Sequence, residues 1–355
     1  MKIKQLLFGL FIATFFASCS KDEIISEAPL PAYNSGILIL NQGGFNSGNA
    51  NVSYLSNDFN TLQNNIFSTV NPGVIMGDTG QDIGLNGQYA YIVVNVSNKI
   101  QIVNRFTFKL IATITANLNN PRYIAFSNGK MFVTNWGNPG STTDDYVATF
   151  NITDNTFLGN IPVVEGPEHI LVNAGKVYVA HKGAYGYGNK ITVIDAALSS
   201  VITTITVGDV PDSMRIVGTD MFVLCSGNPS YAPTETAGKL SKINLTTNTV
   251  SSSINFSITS HPSNLDIYNN DIYYTVDEKI FKTTQLATTL PSTPLFTTTP
   301  QGAYGIYSFE VENNKIFIGD AGNYSANGKV YIYSLTGVLE TSKTVGIIPA
   351  GFYFN

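Results

Sequence analysis

The chain has 355 residues, a formal net charge of −5 and a pI near 5.2. Only 12% of its residues are charged while 43% are hydrophobic, so it can bury a large core and does not have the composition of a disordered protein. An acidic chain lacks the basic excess that displaces counterions from phosphates, and we therefore expect no nucleic-acid partner.

The first predicted element is a secretion signal. Residues 1–4 are basic, and residues 6–16 form an apolar segment too short to span a bilayer as a mature helix. Residues 16–19, Phe-Ala-Ser-Cys, resemble a lipobox, after which bacterial lipoproteins are cleaved and lipidated on the cysteine. We predict a signal peptide over residues 1–18 and a lipid on Cys19, and an ordinary secretory signal with an incidental cysteine is the alternative. Cys225 then stands alone, so no disulfide or cysteine-rich metal site is expected.

The residues that follow Cys19 predict where the protein sits. Ser-Lys-Asp-Glu at residues 20–23 resembles the export signal that sends lipoproteins of Bacteroidota to the outer face of the outer membrane. Residues 19–35 are rich in Ser, Pro, Ala and acidic groups, a composition typical of a flexible tether. No later apolar run approaches the roughly 20 residues needed to span a bilayer. We expect an outer-membrane lipoprotein held by its lipid alone and exposed at the cell surface; a periplasm-facing position is the alternative.

The remaining chain, residues 36–355, contains one repeated unit. Each copy predicts a strand, a tight turn of Asn, Gly or Asp, and a second strand that ends in an apolar triplet. Copies begin at Gln81, Pro121, Pro167, Pro211, Pro262 and Ile306. Their spacing of about 40 to 50 residues lies in the range of propeller repeats.

Two further runs complete each unit. Residues 190–195 alternate apolar and polar side chains, and residues 201–207 are rich in β-branched side chains, both of which are typical of strands. We find no helical period after residue 20. Four antiparallel strands in each repeat make a propeller blade.

The two ends of the repeated region predict how the propeller closes. Residues 349–355 match only the first strand of a unit, and residues 36–41 match only the second. Pairing them makes one complete blade and removes the exposed sheet edges. We predict an all-β fold, a seven-bladed β-propeller closed by its N- and C-terminal strands. Six or eight blades are the alternatives, because residues 284–305 are poorly patterned.

One blade carries a family resemblance. Residues 188–195, Gly-Asn-Lys-Ile-Thr-Val-Ile-Asp, and residues 204–211, Thr-Ile-Thr-Val-Gly-Asp-Val-Pro, resemble the YVTN (YncE-like) propeller repeat. The resemblance is close in this blade and weaker in the others. It implies a propeller and leaves the function open, because propellers include enzymes, scaffolds and binders.

The connections between strands predict which face carries function. Turns between first and second strands and between third and fourth strands are tight. The connections between second and third strands are long in five repeats, over residues 42–49, 135–145, 181–188, 226–238 and 319–328. In an antiparallel blade these long loops share one face with the blade-to-blade connections, and we expect function on that elaborated face.

Candidate ligand contacts lie in these loops and at the mouth of the predicted channel. Aromatic rings set among Gly, Asn and Ser supply rigid contact area at small entropic cost. The loop candidates are Phe45, Asn135, Trp136, Tyr146, His181, Tyr185, Tyr187, Tyr231 and Tyr324. The mouth candidates are Gln81, Asp82, Arg122, His169, Asp212, Asn264 and Tyr307. The alternative is that long extracellular β-loops simply contain such residues.

Catalysis has little support in the sequence, and we predict no catalytic residue, no metal and no resident cofactor. His169 and His181 could join Asp212 or Glu168 at a metal site, but an ordinary surface or channel-lining role is favoured. The glycine-rich residues 183–188 lack the strand-to-helix context of a phosphate loop. Quinone-cofactor amine dehydrogenases share the propeller architecture, and nothing here matches their cofactor residues.

The leader, the repeat and the aromatic loops together resemble the surface propellers of Bacteroidota that capture cobalamin for a TonB-dependent receptor. This resemblance implies a protein that is not an enzyme, binds a small molecule, with a corrinoid as the specific candidate, and passes it to a TonB-dependent outer-membrane transporter. One alternative is a cell-surface protein–protein scaffold or adhesin. The other is a metal-dependent hydrolase or lyase propeller.

Overall fold

The computed structural model describes residues 32–355, which form seven four-stranded antiparallel sheets. They confirm the all-β seven-bladed propeller. The predicted signal peptide over residues 1–18, the lipidation site Cys19 and most of the tether lie outside the described residues. In the described part, no helix is both long and apolar enough to cross a membrane.

Each blade follows the order first to fourth strand from the channel outward. Blade 1 contains β28 (Pro349–Phe354), β1 (Ile37–Asn41), β2 (Asn51–Leu55) and β3 (Leu62–Gln63). Blade 2 contains β4 (Gly80–Asn86), β5 (Tyr89–Val94), β6 (Lys99–Asn104) and β7 (Leu110–Ile114). Blade 3 contains β8 (Pro121–Ser127), β9 (Lys130–Asn135), β10 (Tyr146–Asn151) and β11 (Phe157–Pro162). Blade 4 contains β12 (Pro167–Asn173), β13 (Lys176–His181), β14 (Lys190–Asp195) and β15 (Ser200–Thr206).

The last three blades repeat the same order. Blade 5 contains β16 (Pro211–Val217), β17 (Asp220–Cys225), β18 (Lys239–Asn244) and β19 (Thr249–Asn255). Blade 6 contains β20 (Ser263–Tyr268), β21 (Asp271–Val276), β22 (Lys279–Thr284) and β23 (Phe296–Thr297). Blade 7 contains β24 (Ser308–Glu312), β25 (Lys315–Asp320), β26 (Asn327–Ser334) and β27 (Leu339–Ile347). A five-residue helix, α1 (Ile66–Val70), and a 3₁₀ turn, Thr299–Gln301, lie in blade-to-blade connections.

Burial explains why these segments form blades. The second strands lie between neighbouring sheets, and in β13 every residue from Val177 to His181 is buried. The fourth strands lie at the rim, and in β15 only Ile205 is buried. The second strands can therefore be apolar on both faces, whereas the fourth strands are mostly solvated.

Blade 1 closes the ring as predicted. Strand β1 pairs antiparallel with β2 on one side and with β28 on the other. Arg105 of blade 2 donates to the carbonyl oxygen of Phe354 at 3.0 Å and to Asn355 Oδ1 at 2.7 Å, which fixes the end of β28. Tyr33, in the segment predicted as tether, is 4% exposed and packs against Tyr54 and Phe108. The last residues of that segment are therefore part of the folded body.

The two faces of the propeller differ as expected. The long connections between second and third strands and the blade-to-blade connections lie on one side, which we call the loop face. The short turns lie on the other side, the turn face, where β1 begins at Ile37, and the connection between β22 and β23 is a long exception on this side. Residues 284–305 contain the long connection from β22 to a two-residue β23, so the irregular region is a reduced fourth strand and blade 6 is complete.

Candidate functional site

The first strands of the seven blades surround a central cavity of about 550 Å³. All seven predicted mouth residues line it: Gln81, Asp82, Arg122, His169, Asp212, Asn264 and Tyr307. Each lies at or just before the start of a first strand. The repeat therefore brings side chains from far apart in sequence to one opening on the loop face.

β-bulges shape that opening. In blades 2 to 6 the pairing of the first strand with the second slips by one residue at its start on the loop face. The residues within or beside these irregularities include Arg122, Glu168, His169 and Asp212, and bulges are common where a strand must redirect side chains. Neighbouring blades satisfy the freed amides: Ile124 donates to Asp82 Oδ2 at 3.0 Å, and Asn264 donates to Asp212 Oδ2 at 2.9 Å. The opening is thus held by hydrogen bonds between blades.

Arg122 is fixed on two sides. Its guanidinium donates to both carboxylate oxygens of Glu168, at 2.9 and 2.7 Å, a bidentate geometry that is strong and directional. Its Cζ lies 4.2 Å from the ring centroid of Trp136, a cation–π contact. The Trp136 ring in turn contacts Tyr185 edge-on at 6.3 Å between centroids. We call Arg122, Trp136 and Tyr185 the rim stack; within residues 32–355 the buried Trp136 Nε1 has no hydrogen-bond partner.

A second ion pair stands beside the rim stack. Lys182 Nζ lies 3.3 Å from Asp212 Oδ1. The pKa of Lys182 is raised, first by the Asp212 charge, against the opposing effect of burial. Burial alone would raise the pKa of Asp212, but Lys182 and the Asn264 amide outweigh it and the pKa is lowered. Both groups are therefore charged at neutral pH.

His169 differs from these charged neighbours. Its ring lies against Tyr123, with centroids 4.0 Å apart and planes tilted by 36°. Burial lowers the pKa of His169 to about 4 in spite of the nearby Glu168 and Asp212 charges, so the imidazole is neutral at pH 7. It lines the cavity, and neither ring nitrogen forms a hydrogen bond with any described residue.

Deeper in the channel, Arg215 bridges two carboxylates. Its Nε lies 2.7 Å from Asp266 Oδ1 and its Nη2 lies 3.0 Å from Glu310 Oε2. Burial is the main cause that raises the pKa of Glu310, although Arg215 opposes the shift. Burial also raises the pKa of Asp82 to about 6, against hydrogen bonds from the Ile124 amide and the Tyr353 hydroxyl.

A side pocket of about 430 Å³ adjoins the channel mouth between blades 4 and 5. Lys182 and Asp212 line both cavities, so the two adjoin at this ion pair. The pocket wall also carries the aromatic and histidine side chains of Tyr185, Tyr187, Tyr231 and His261. His261 is held by Ser226 O at 3.0 Å and by Glu235 Oε1 at 3.2 Å.

Gly166 positions the loop that carries Lys182 and Tyr185. Its φ of +64° is in the left-handed region, and a Cβ there would collide with the backbone of Gly183 and Ala184. The amide of Lys182 donates to Gly166 O at 2.9 Å. Glycine at residue 166 thus allows this loop to pack directly on the connection between blades 3 and 4.

The other loop candidates are distributed around the loop face. Tyr307 and Tyr324 contact each other edge-on at 5.9 Å, Tyr304 joins them, and Tyr307 donates to Gln42 Oε1 at 2.6 Å. Phe45 is 73% exposed in the blade 1 loop. Tyr146 is half-buried beside the blade 3 loop, with its hydroxyl 3.5 Å from Asn117 O. These residues add aromatic surface around the mouth, but most of them do not line the central cavity.

Two predicted ligand contacts, Asn135 and His181, have packing roles in the structure. Asn135 is fully buried, donates to Val133 O and accepts from the Asn119 amide. His181 is also fully buried, with Nε2 2.8 Å from Thr192 Oγ1. His169 and His181 therefore share no ligand pocket. Across residues 32–355, no three His, Cys, Asp or Glu side chains are grouped so as to hold a metal ion.

The buried His181 predicts acid sensitivity. Burial lowers its pKa to about 4 from 6.5, so the folded state disfavours the charged form. The stability that it contributes is complete above pH 6.5 and is lost as the pH falls toward 4. We expect wild type to lose about 2 kcal/mol between pH 7 and pH 5 relative to a His181→Gln variant, measured as the difference in urea unfolding. Parallel pH dependence in the two proteins would contradict this.

Several residues of the site were not predicted. Lys182, Tyr123, Arg215, Glu310 and Tyr353 all line the cavity. Lys182 lies directly after a second strand, in one of the long loops recognised from the sequence. Its position on the elaborated face could therefore have indicated that it belongs to the site. The presence of two charged residues, Asp212 and Arg215, in one first strand was a weaker indication that Arg215 belongs to the site. Nothing in the sequence indicates the partners of Arg215, which lie 51 and 95 residues away.

Several solved structures share the fold at low sequence identity. A quinonprotein alcohol dehydrogenase-like protein from Bacteroides thetaiotaomicron is 11% identical, with coverage of 90% of this chain and 78% of that chain and a TM-score of 0.66. A functionally unknown protein from Desulfotomaculum acetoxidans is 13% identical, with coverage of 90% and 98% and a TM-score of 0.63. BamB from Moraxella catarrhalis is 15% identical, with coverage of 89% and 92% and a TM-score of 0.53.

Such similarities show the propeller fold alone. No curated protein matches the chain. A family model described as a domain of unknown function, DUF5074, matches residues 35–354, which is nearly the whole of the propeller.

Proposed function

The chain belongs to the DUF5074 family of domains of unknown function, and we propose that it is a surface lipoprotein that captures a corrinoid on its loop face and passes it to a TonB-dependent outer-membrane transporter. Capture is non-enzymatic in this proposal. The anchor is a lipid on Cys19, and the repeat is of the YVTN (YncE-like) type on the strength of residues 188–195 and 204–211.

The observation that carries the proposal is the pair of adjoining cavities on the loop face. The channel mouth and the side pocket adjoin through Lys182 and Asp212, and their cavity volumes are about 550 and 430 Å³. Both are within the range of small-molecule sites, and together they suit a ligand larger than a typical metabolite. A corrinoid, a broad macrocycle with amide arms, has both the size and the mixed polarity that this surface would complement.

The chemistry of the rim supports a ligand with planar and amide groups. The Trp136 face is held against Arg122, and Arg122 is held by Glu168, so the rim stack is ordered before binding and loses little entropy. The rim stack joins the two cavities, since Arg122 lines the channel and Tyr185 lines the side pocket. Tyr185 and Tyr231 are 79% and 85% exposed and provide apolar surface beside hydroxyl groups.

The position of the ends supports a surface role. Strand β1 begins on the turn face, so the chain that precedes Ile37 enters the propeller opposite the loop face. A lipid on the preceding segment would not require that segment to cross the loop face. Ligand capture and contact with a transporter would then both use the elaborated side.

The experiment is a titration of the purified chain with cyanocobalamin by isothermal calorimetry. Binding at micromolar concentration or tighter supports the proposal, whereas no binding up to that level rejects it. If the protein does not bind cyanocobalamin but binds one defined protein partner at the cell surface, the result favours the scaffold or adhesin function. Loss of capture from whole cells after Cys19→Ala, with the soluble protein still competent, would test the anchor separately.

A further inference from the structure

We infer that His169 is the axial base for a metal that reaches the channel already held in a planar macrocycle. The inference rests on the proposed function, because a corrinoid is the macrocycle considered. It assigns to one side chain a bond to the ligand's metal, which the capture proposal alone does not require.

The three histidines of the chain all lie in the described residues, and His169 differs from the other two. His181 is hydrogen-bonded to Thr192 within blade 4, and His261 is hydrogen-bonded to Ser226 and Glu235. Among residues 32–355 neither nitrogen of His169 has such a partner, yet the side chain lines the cavity. A ring nitrogen of His169 is therefore free to contact a ligand there.

The geometry also fixes the ring. His169 comes directly after Glu168 at the irregular start of β12, and its face lies 4.0 Å from that of Tyr123. The next bulge along the ring, at Asp212, is tied to blade 6 through the Asn264 amide. An imidazole held in one orientation at the edge of an open cavity is preorganised to donate its lone pair.

The charge state agrees with this role. A metal takes the neutral form of histidine, and the low pKa of His169 keeps the ring neutral at pH 7 without any hydrogen bond to a carboxylate. Two ion pairs surround His169, and within each pair the opposite charges contact each other: Arg122 with Glu168, and Lys182 with Asp212. They leave the imidazole as the uncharged donor at the mouth.

A single imidazole also determines the class of ligand. A bare transition ion is held in proteins by three or four side chains, whereas His169 supplies one ligand. The metal must therefore arrive with its other positions filled. A corrinoid meets this condition, because its ring nitrogens occupy four positions and leave the axial ones exchangeable.

The test uses the full-length protein and diaquacobinamide, a corrinoid that lacks its own nucleotide base. After anaerobic reduction to Co(II), electron paramagnetic resonance of the bound form is expected to show splitting from one axial nitrogen. Growth on ¹⁵N-histidine should change the triplet to a doublet. His169→Gln should remove the splitting and weaken cobinamide binding by about tenfold or more, while the matched control His181→Gln, at a histidine that lines neither cavity, should retain both.

The outcomes separate the two proposals. Cobinamide that binds without nitrogen splitting, or that keeps the splitting in His169→Gln, overturns the axial role and leaves corrinoid capture standing. No binding of cobinamide or cyanocobalamin by the wild-type protein overturns both. If His169→Gln unfolds, ¹⁵N labelling of the wild-type protein alone still decides whether a histidine nitrogen binds the metal, and His261→Gln decides whether it is His261.

Discussion

Replacing Trp136 by alanine is expected to weaken cyanocobalamin binding by about thirtyfold or more, the effect of losing about 2 kcal/mol. The indole packs against both Arg122, which lines the channel, and Tyr185, which lines the side pocket. Alanine removes the support for both side chains. Calorimetric titration of wild type and variant measures the ratio.

Two further variants make the Trp136 result specific. Trp136→Phe keeps a smaller aromatic face against Arg122, so its affinity should fall between those of wild type and alanine. Phe157→Ala changes a part-exposed aromatic on the fourth strand of blade 3, away from both cavities, and should leave affinity unchanged. Binding by Trp136→Ala within about twofold of wild type would remove the rim stack from the site, since twofold corresponds to less than half a kcal/mol.

Replacing Arg215 by methionine is expected to destabilise the protein by about 3 kcal/mol at pH 7.5. Methionine keeps much of the volume but leaves the carboxylates of Asp266 and Glu310 facing each other without the guanidinium between them. Breaking this bridge costs that much because the Asp266 carboxylate, 4% exposed, stays desolvated. The channel admits water, which keeps the expected loss at the low end of the usual range.

The pH dependence of that loss has a definite sign. Burial already raises the pKa of the Glu310 carboxyl group in the folded state, and without Arg215 this pKa rises further above that in the unfolded chain. The penalty is therefore complete above the folded-state pKa and disappears as the pH falls toward the unfolded value near 4. Urea unfolding should show a smaller difference from wild type at pH 5 than at pH 7.5.

A rescue and a control complete this test. Changing Asp266 to Asn and Glu310 to Gln in the Arg215→Met background should recover much of the stability, because no uncompensated charge remains. Lys242→Met breaks a part-exposed pair with Asp220 and should cost less than about 1 kcal/mol. An Arg215→Met protein as stable as wild type at both pH values would show that the bridge contributes nothing.

The sequence was sufficient for the fold because one unit recurs with proline at the start of several first strands. It was ambiguous at residues 284–305, since β23 has two residues and its connection to β22 is long. A two-residue strand has no alternation to detect. The closing blade was predictable because each terminus carries a recognisable part of the unit.

The channel mouth was predictable for the same reason, since the first residues of every innermost strand converge. The ends of the second strands were harder to interpret. Asn41, Asn135, His181 and Cys225 all end a second strand opposite the proline that begins the first strand, and all are at most 1% exposed. Loop proximity suggested ligand contact for Asn135 and His181, whereas packing between blades buries this register position. Pairs such as Arg215 and Glu310 depend on the closed ring and cannot be obtained from local pattern.

The closing blade also determines how the molecule bears mechanical load. Strand β1 is the first strand of the chain and is flanked on both sides, by β2 and by β28, and Asn355 adds hydrogen bonds to Gly36 O and Tyr33 O. Force applied through the preceding chain would act along the strand axis. It would load both ladders in shear, with many hydrogen bonds resisting together, whereas peeling an edge strand breaks them one after another. If a bound partner pulled on the protein against its tether, the force would therefore fall on β1, a strand that is hydrogen-bonded along both edges.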